Sequence, residues 1–417
     1  MRIAVYHNLL SGGAKRALAE LARRLAARHE LDVYTLSSGN QEFADLRPFV
    51  AAHRVFPFAP LPLLGSPFGR LNQATRTADL LRLGHLNKQI AAEIEQHDYD
   101  VVFVHPCQYE TSPSLLAHLR DVPAVYYCQE PLRRVYEPQQ LRPYDLPQSR
   151  RRQLLDRIDP LIRLYYSVLS RRDRRNTRRA GRVLVNSQFM RDAVGRIYGR
   201  EAEVSYLGVD SDLFRPLPVE KRGYVLSVGS LTPLKGFDFL IEALGHITEP
   251  QRPPLVIVSN FQNPPERAYL EHLAEAAEVE LRLLSEVSDE RLVQLYNEAA
   301  LVAYAAVREP FGLVPLEAMA CGTPVVAVRE GGVRETIVHE ETGLLVERKA
   351  GRFAQAVLRL LEDGQLANEY GRRGREVVLR RWTWEEAARR AESHLLAMQT
   401  PRTESENARQ QDIVWIN

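Results

Sequence analysis

A chain of 417 residues with 45% apolar content exceeds one typical core and predicts two domains of roughly 200 residues each. A formal net charge of +2 singles out no class of partner. Three scattered cysteines, Cys107, Cys128 and Cys321, have neither disulfide nor zinc-ligand spacing, so each reads as a small buried hydrophobe in a reducing compartment. The N-terminus, Met1 to His7, runs directly into strand pattern, and no apolar run approaches the ~18 residues needed to span a bilayer. The expectation is a cytoplasmic protein, with the inner face of a membrane as a surface on which it can rest.

Residues 2–7 predict a buried strand, 9–13 a loop, and 14–28 a helix whose apolar residues recur every three or four positions. Gly12 and Gly13 lack the spacing of G-x-G-x-x-G, so they read as a weak nucleotide loop or as a plain tight turn. Strand patterns at 31–36, 101–105 and 124–128 alternate with helical ones near 77–96 and 114–119, which argues for a parallel α/β sheet. Gln129-Glu130-Pro131-Leu132-Arg133 comes next, at a strand's carboxyl end, where open sheets place ligands. The Gln129 amide can hydrogen-bond a hydroxyl of such a ligand. His7 and His105 also end strands, where a lone histidine is more often structural.

Residues 131–182 hold fifteen arginines against five acids. Ile158, Leu161, Ile162, Leu164, Tyr165, Tyr166, Val168 and Leu169 interleave with them, a pattern suited to an anionic membrane surface or acidic acceptor, or to a plainly solvated helix. No recognised nucleic-acid motif accompanies it, and nucleic acid is not an expected partner. Residues 182–187 resume strand pattern, 188–198 helix and 203–206 strand. Asp98-Tyr99-Asp100 and Asp210-Ser211-Asp212 imitate a D-x-D metal motif, but the first reads as a turn into a strand and the second as a cap before Leu213, so no metal site is expected. Pro216, Pro218 and Glu220-Lys221-Arg222 read as a linker.

Beyond it, a strand at 224–228 leads into Gly229-Ser230-Leu231-Thr232-Pro233-Leu234-Lys235-Gly236 and a helix at 237–244. Strands at 255–258, 280–284, 301–305 and 325–328 alternate with helices at 266–278 and 289–299, and with one beginning near Pro315, giving a second Rossmann-like unit. Glu309 and Glu317 bracket that last helix start. Pro315 is tolerated only in a first turn, Cys321-Gly322 ends the run, and Phe311, Gly312 and Leu313 are expected to present unpaired N–H groups to an anion such as phosphate. Carboxylates that accept from vicinal hydroxyls beside amides that hold phosphates suit a phosphorylated sugar, although two glutamates near a helix start can simply favour the macrodipole. Residues 351–380 predict helix with a break near Gly364, and Thr383 with Glu386 three on predicts the cap of a final helix. Residues 399–417 are polar and unpatterned.

The run Glu309-Pro-Phe-Gly-Leu-Val-Pro-Leu-Glu317-Ala-Met-Ala-Cys-Gly-Thr-Pro-Val resembles the E-x7-E signature of retaining family 4 glycosyltransferases, and the resemblance extends over roughly residues 1–398. It implies the GT-B fold, two Rossmann-like domains facing across a cleft: 1–215 on the acceptor side, 216–222 as linker, 223–381 for the nucleotide sugar, and 382–398 as a helix crossing back. It implies a nucleotide sugar as substrate rather than a cofactor, a saccharide, lipid-linked or other hydroxyl acceptor, and no metal. By motif match Glu309 meets the transferred sugar, Glu317 the ribose, Lys235 the diphosphate, and the amides of Phe311, Gly312 and Leu313 the phosphate or the sugar. The Gly12-Gly13 loop faces the cleft in that family. Ser230 stands where relatives usually carry arginine, Gln129 where many carry histidine, and Ser259-Asn260 where they usually show a glycine turn, departures that keep a non-catalytic scaffold open as the alternative.

Overall fold

The computed structural model describes residues 1–65, 68–145, 159–261 and 263–398. A seven-stranded sheet runs in the order β3-β2-β1-β4-β5-β6-β7, with β1 Arg2–Asn8, β2 Glu30–Leu36, β3 Ala52–Phe56, β4 Val101–Cys107, β5 Ala124–Tyr127, β6 Arg182–Val185 and β7 Glu203–Val204. A six-stranded sheet runs β10-β9-β8-β11-β12-β13, with β8 Val225–Val228, β9 Leu255–Val258, β10 Leu281–Leu284, β11 Leu301–Tyr304, β12 Val325–Val328 and β13 Gly343–Val346. In both, the order reverses beside the first strand: β1 pairs in parallel with β2 and β4, and β8 with β9 and β11. Ligands of open α/β sheets bind outside the carboxyl ends of the strands at such reversals.

Contacts divide the chain into two units, one of Met1–Cys128, Tyr165–Leu184 and the chain from Arg389, the other of Gln129–Leu164 and Val185–Ala388. In the first, Ile3 to Asn8 are all buried, the continuous apolar run of a strand covered on both faces. The helix Gly13–Leu25 turns Ala17, Leu18, Leu21, Ala22 and Leu25 inward. It takes in Gly13, expected in the loop, and ends three residues before the predicted stop. The helix expected near 114–119 is a single 3-10 turn, Ser114–Ala117, preceded by Pro113 in extended conformation.

The second unit's core gathers Phe237, Leu240, Ile257, Leu301, Phe353 and Val357. Helix Pro264–Ala276 starts two residues before its predicted start because proline is tolerated in a first turn, and Asn263 accepts from Glu266 N at 3.5 Å. The break expected near Gly364 separates Ala350–Glu362 from Gly364–Arg381, and Thr383 Oγ1 accepts from Glu386 N at 3.3 Å at the head of helix Trp384–Leu396.

Of the arginine-rich stretch, 146–158 lie outside the described residues, as do 399–417. Its remaining part is dominated by helix Pro160–Arg179, which buries Tyr165, Leu169, Asp173, Asn176 and Thr177. Asn176 Nδ2 donates to Ser112 O at 2.9 Å, Thr177 and Ser112 hydroxyls meet at 2.7 Å, and Arg172 pairs with buried Glu110 at 3.3 Å, so its inward face is held by polar bonds. Among the described residues no helix is long and apolar enough to cross a membrane.

Candidate functional site

The loops that leave β8 and β11 meet at the reversal of the second sheet. Gly229 has φ +159, and a Cβ there would stand 3.2 Å from Lys235 Cγ and Cδ, so the bare glycine lets the lysine stem lie across its backbone. Pro233–Lys235 forms a 3-10 turn closed by Gly236 at φ +66, where a Cβ would run into the Ala305 carbonyl oxygen. Backbone therefore packs on backbone, and Val307 N donates to Leu234 O at 2.7 Å. This seats Lys235 Nζ 2.9 Å from Glu309 Oε2.

The Glu309 loop is clamped from two further sides. Gly332 N donates to Glu309 O at 2.8 Å, and a Cβ on Gly331 or Gly332 would collide with the carbonyl of Glu309 or Pro310 respectively. Ser187 Oγ donates to Pro310 O at 2.6 Å. Gly312, at φ +103, then caps helix Leu313–Ala320 with Pro315 in its first turn. The first-turn amides of a helix have no intrahelical acceptor, and the macrodipole adds positive potential there. Phe311 is 2% exposed and its ring packs against Tyr206 and Trp382, which leaves its backbone as the part able to act on a ligand. Glu317, inside the helix, accepts from the Tyr296 hydroxyl at 2.7 Å.

The loop after β5 reaches the same place. Gln129 is buried, and its carbonyl accepts from Asn186 Nδ2 at 3.1 Å. Arg133 donates to Val307 O at 2.8 Å and pairs with Glu137 at 3.0 Å, which in turn lies 3.7 Å from Arg308. Between these anchors Glu130 is half-buried, and burial pushes its carboxyl up to about 7; Arg133 and Lys235 oppose the shift, Glu309 and Glu137 add to it.

Lys235, Glu309, Phe311, Gly312, Leu313, Glu317, Ser230 and Gln129 thus all belong to the second unit, whereas Gly13 opens the first helix of the other. Ser230 Oγ lies 3.5 Å from Thr232 Oγ1, and the Asn260 side-chain amide accepts from Val287 N at 3.1 Å and donates to Val287 O at 3.2 Å. Sequence reasoning missed Tyr296, Arg133 and Ser187, whose partners lie 21, 174 and 123 residues away. It also missed Lys15, buried with Nζ 3.2 Å from His7 Nε2 and lowered by burial to about 8. Of the D-x-D aspartates, Asp100 accepts from Arg2 N at 2.7 Å, and Asp210 from Asp212 N and Leu213 N at 3.1 and 2.9 Å.

Residues 210–377 match the family model "Glycosyl transferases group 1" and residues 11–213 match "Glycosyltransferase Family 4". A D-inositol 3-phosphate glycosyltransferase of Xylanimonas cellulosilytica is 31% identical over 91% of this chain and 90% of its own length. A GDP-mannose-dependent alpha-(1-6)-phosphatidylinositol monomannoside mannosyltransferase of Mycobacterium tuberculosis is 33% identical over 48% of this chain and 58% of its own. Among solved structures, sucrose-phosphate synthase of Thermosynechococcus elongatus superposes with a TM-score of 0.71 at 22% identity, covering 95% of this chain and 99% of the other. Anabaena HepE in complex with UDP-glucose superposes with a TM-score of 0.68 at 20% identity, covering 95% and 100%. The fold they share with this chain is GT-B.

Proposed function

The chain belongs to the group 1, family 4 glycosyltransferases, and from that premise we propose that it moves a sugar from a nucleotide-sugar donor to a hydroxyl acceptor with retention of anomeric configuration. The observation that carries this reading is the convergence of Lys235 on Glu309, at 2.9 Å, just ahead of the helix that bears Glu317. Lys235 and the amides of Phe311, Gly312 and Leu313 hold the diphosphate, Glu317 the ribose hydroxyls, and Glu309 the transferred sugar. Gln129 contacts the sugar or the acceptor. In a front-face displacement the bond from C1 to the phosphate oxygen breaks while the acceptor oxygen bonds C1 from the same side, and the acceptor's proton passes to the departing phosphate. Stabilising that phosphate's charge is then the main work of the site.

Relatives include a D-inositol 3-phosphate glycosyltransferase and a phosphatidylinositol monomannoside mannosyltransferase. They support a phosphorylated or lipid-linked polyol as acceptor. Divalent metal is not required in this reading, since Lys235 and a helix start carry the diphosphate charge and the Asp100 and Asp210 carboxylates are taken up by backbone amides. Turnover is expected to survive chelator; loss with EDTA and restoration by manganese or magnesium would reject that part. An acceptor in lipid brings the exposed arginines of helix Pro160–Arg179 to an anionic membrane surface.

Radiolabelled UDP-glucose, UDP-N-acetylglucosamine and GDP-mannose, each offered with inositol phosphate and with phosphatidylinositol vesicles, test the reading. Labelled product with the donor's anomeric configuration is expected from one pairing. Tight nucleotide binding without transfer in any pairing favours the scaffold alternative that Ser230 motivates.

A further inference from the structure

Between β11 and the Leu313 helix start, the chain is held by its carbonyls. Arg348 donates to Ala305 O at 3.0 Å and to Ala306 O at 3.4 Å while paired with Glu330 at 2.8 Å. Arg133 Nη2 donates to Val307 O at 2.8 Å while its Nε pairs with Glu137 at 3.0 Å. The carbonyls of Glu309 and Pro310 are taken by Gly332 N and Ser187 Oγ. Inside this frame Arg308 sits at φ +48, in the left-handed region that side chains rarely adopt. Its guanidinium lies 5.7 Å from the Phe189 ring centre and 3.7 Å from Glu137 Oε1. Among the described residues six non-glycines have positive φ, and of these Arg308 is the one that adjoins a residue of the donor reading, Glu309. Such a conformation persists only where its surroundings over-determine it.

We propose that Arg133 and Glu137 are positioning residues for Glu309: together they hold Val307 and Arg308 in the strained turn from which Glu309 reaches Lys235 and the transferred sugar. The inference rests on the donor reading above. Arg133 fixes the carbonyl just before the strained residue, and Glu137 orients the Arg133 fork while drawing the Arg308 guanidinium to the same point. The two stand four residues apart across the single helical turn Arg133–Tyr136, and their side chains are 13% and 16% exposed, so salt screens the pair little. Without it Arg308 relaxes to negative φ, and Glu309, the next residue, turns away from Lys235. Lys235 and the helix start are anchored separately, by Gly236 packed on Ala305 and by Ser187 on Pro310, so the diphosphate stays held and the sugar contact is what is lost.

The test is calorimetric titration of UDP-glucose beside UDP and of GDP-mannose beside GDP, read as the ratio of sugar-nucleotide affinity to nucleoside-diphosphate affinity. For the pair that binds, Arg133→Ala lowers this ratio about tenfold while nucleoside-diphosphate affinity stays within about twofold of wild type, and Glu137→Gln, which keeps the shape and removes the charge, lowers it about threefold. Arg308→Gly meets the left-handed φ without strain, so in the Arg133→Ala background it restores most of the ratio. A residue that touched the donor, or served stability alone, would show no such rescue. Equal loss for sugar nucleotide and nucleoside diphosphate overturns the proposal, as does a failure of Arg308→Gly to rescue. So does an unchanged ratio in Glu137→Gln, which is read on its own if Arg133→Ala does not fold. Glu309→Gln separates this inference from the reading beneath it. If Glu309→Gln lowers the ratio and Arg133→Ala does not, the donor reading stands and the positioning role is overturned. If Glu309→Gln leaves the ratio at its wild-type value, or the wild type binds no sugar nucleotide, it is the donor reading that fails, and this inference with it.

Discussion

The ammonium of Lys235 and the carboxylate of Glu309 stand 2.9 Å apart although 74 residues separate them in sequence. Their side chains are 23% and 21% exposed, so the pair contributes at most about 1 kcal/mol to stability. Its consequence lies in placement, since it aims a cation at the loop preceding the helix start.

Lys235→Ala is therefore expected to weaken binding of the donor's diphosphate by about 10- to 100-fold, because charge-assisted bonds contribute about 1.5 to 3 kcal/mol and each 1.4 kcal/mol is tenfold. The melting temperature should hardly move. Ser230→Arg should tighten binding by supplying a second cation. Calorimetry with UDP and GDP checks both. Arg329 donates to Leu345 O at 3.2 Å and Arg334 to Gly331 O at 3.4 Å; wild-type affinity in Lys235→Ala would hand the phosphates to one of them.

Tyr296 is fully buried and its hydroxyl holds Glu317 at 2.7 Å. Tyr296→Phe removes one hydrogen bond to a charged group, about 1.5 to 3 kcal/mol at most, and lets the carboxylate swing. A loss of about 3- to 30-fold in sugar-nucleotide affinity is expected. Glu317→Gln should lose ribose contacts in the same assay while retaining phosphate ones, so a phosphate-only probe such as pyrophosphate should bind Glu317→Gln and wild type alike.

Elements bounded by local chemistry were legible in the sequence. Helix Gln188–Tyr198 lies where it was expected because Ser187 accepts from Met190 N at 3.0 Å and Gly199 takes φ 60 at its end. Strand β3 was missed because Ala52-His53-Arg54-Val55-Phe56 lies at a sheet edge, half-exposed, with neither a buried run nor a regular alternation. At the site, Glu309 and Glu317 stood out through the resemblance of their run to the E-x7-E signature, since spacing around a helix start alone suits a macrodipole role equally well. What joins them to Lys235, Tyr296 and Arg133 is tertiary, and the upward shift of Glu130 comes from burial, which no local pattern records.

Arg142 offers a stability test. Its guanidinium bonds Glu266 at 2.8 Å and Asp238 at 2.7 Å and lies 4.8 Å from the Tyr269 ring centre, while Tyr144 also donates to Glu266. Glu266 has no solvent exposure. Arg142→Ala leaves that carboxylate buried and short of its cation, which typically costs about 3 to 5 kcal/mol. Arg142→Lys should rescue little, since an ammonium cannot make the forked contact. Denaturant unfolding measures both, and a loss in Arg142→Ala below about 1 kcal/mol would show that Tyr144 and solvent compensate.

Arg171, Arg174, Arg175, Arg178 and Arg179 line a recess of about 420 Å³ on helix Pro160–Arg179. The opposite face of the helix is held by Asp173, Asn176 and Thr177, so these arginines stay on the outer side whatever they bind. Near an anionic bilayer each cation contributes about 1 kcal/mol, falling off within a Debye length. The protein should sediment with phosphatidylserine-containing vesicles at low salt, release as salt rises, and ignore phosphatidylcholine alone. Arg171→Gln with Arg179→Gln removes two exposed charges and should weaken vesicle binding by about 30-fold, since about 2 kcal/mol corresponds to that factor. Turnover with a water-soluble acceptor should be unchanged in the double variant, which separates membrane attachment from chemistry. Equal sedimentation with both lipids, or with neither, would show that the arginines are only solvated.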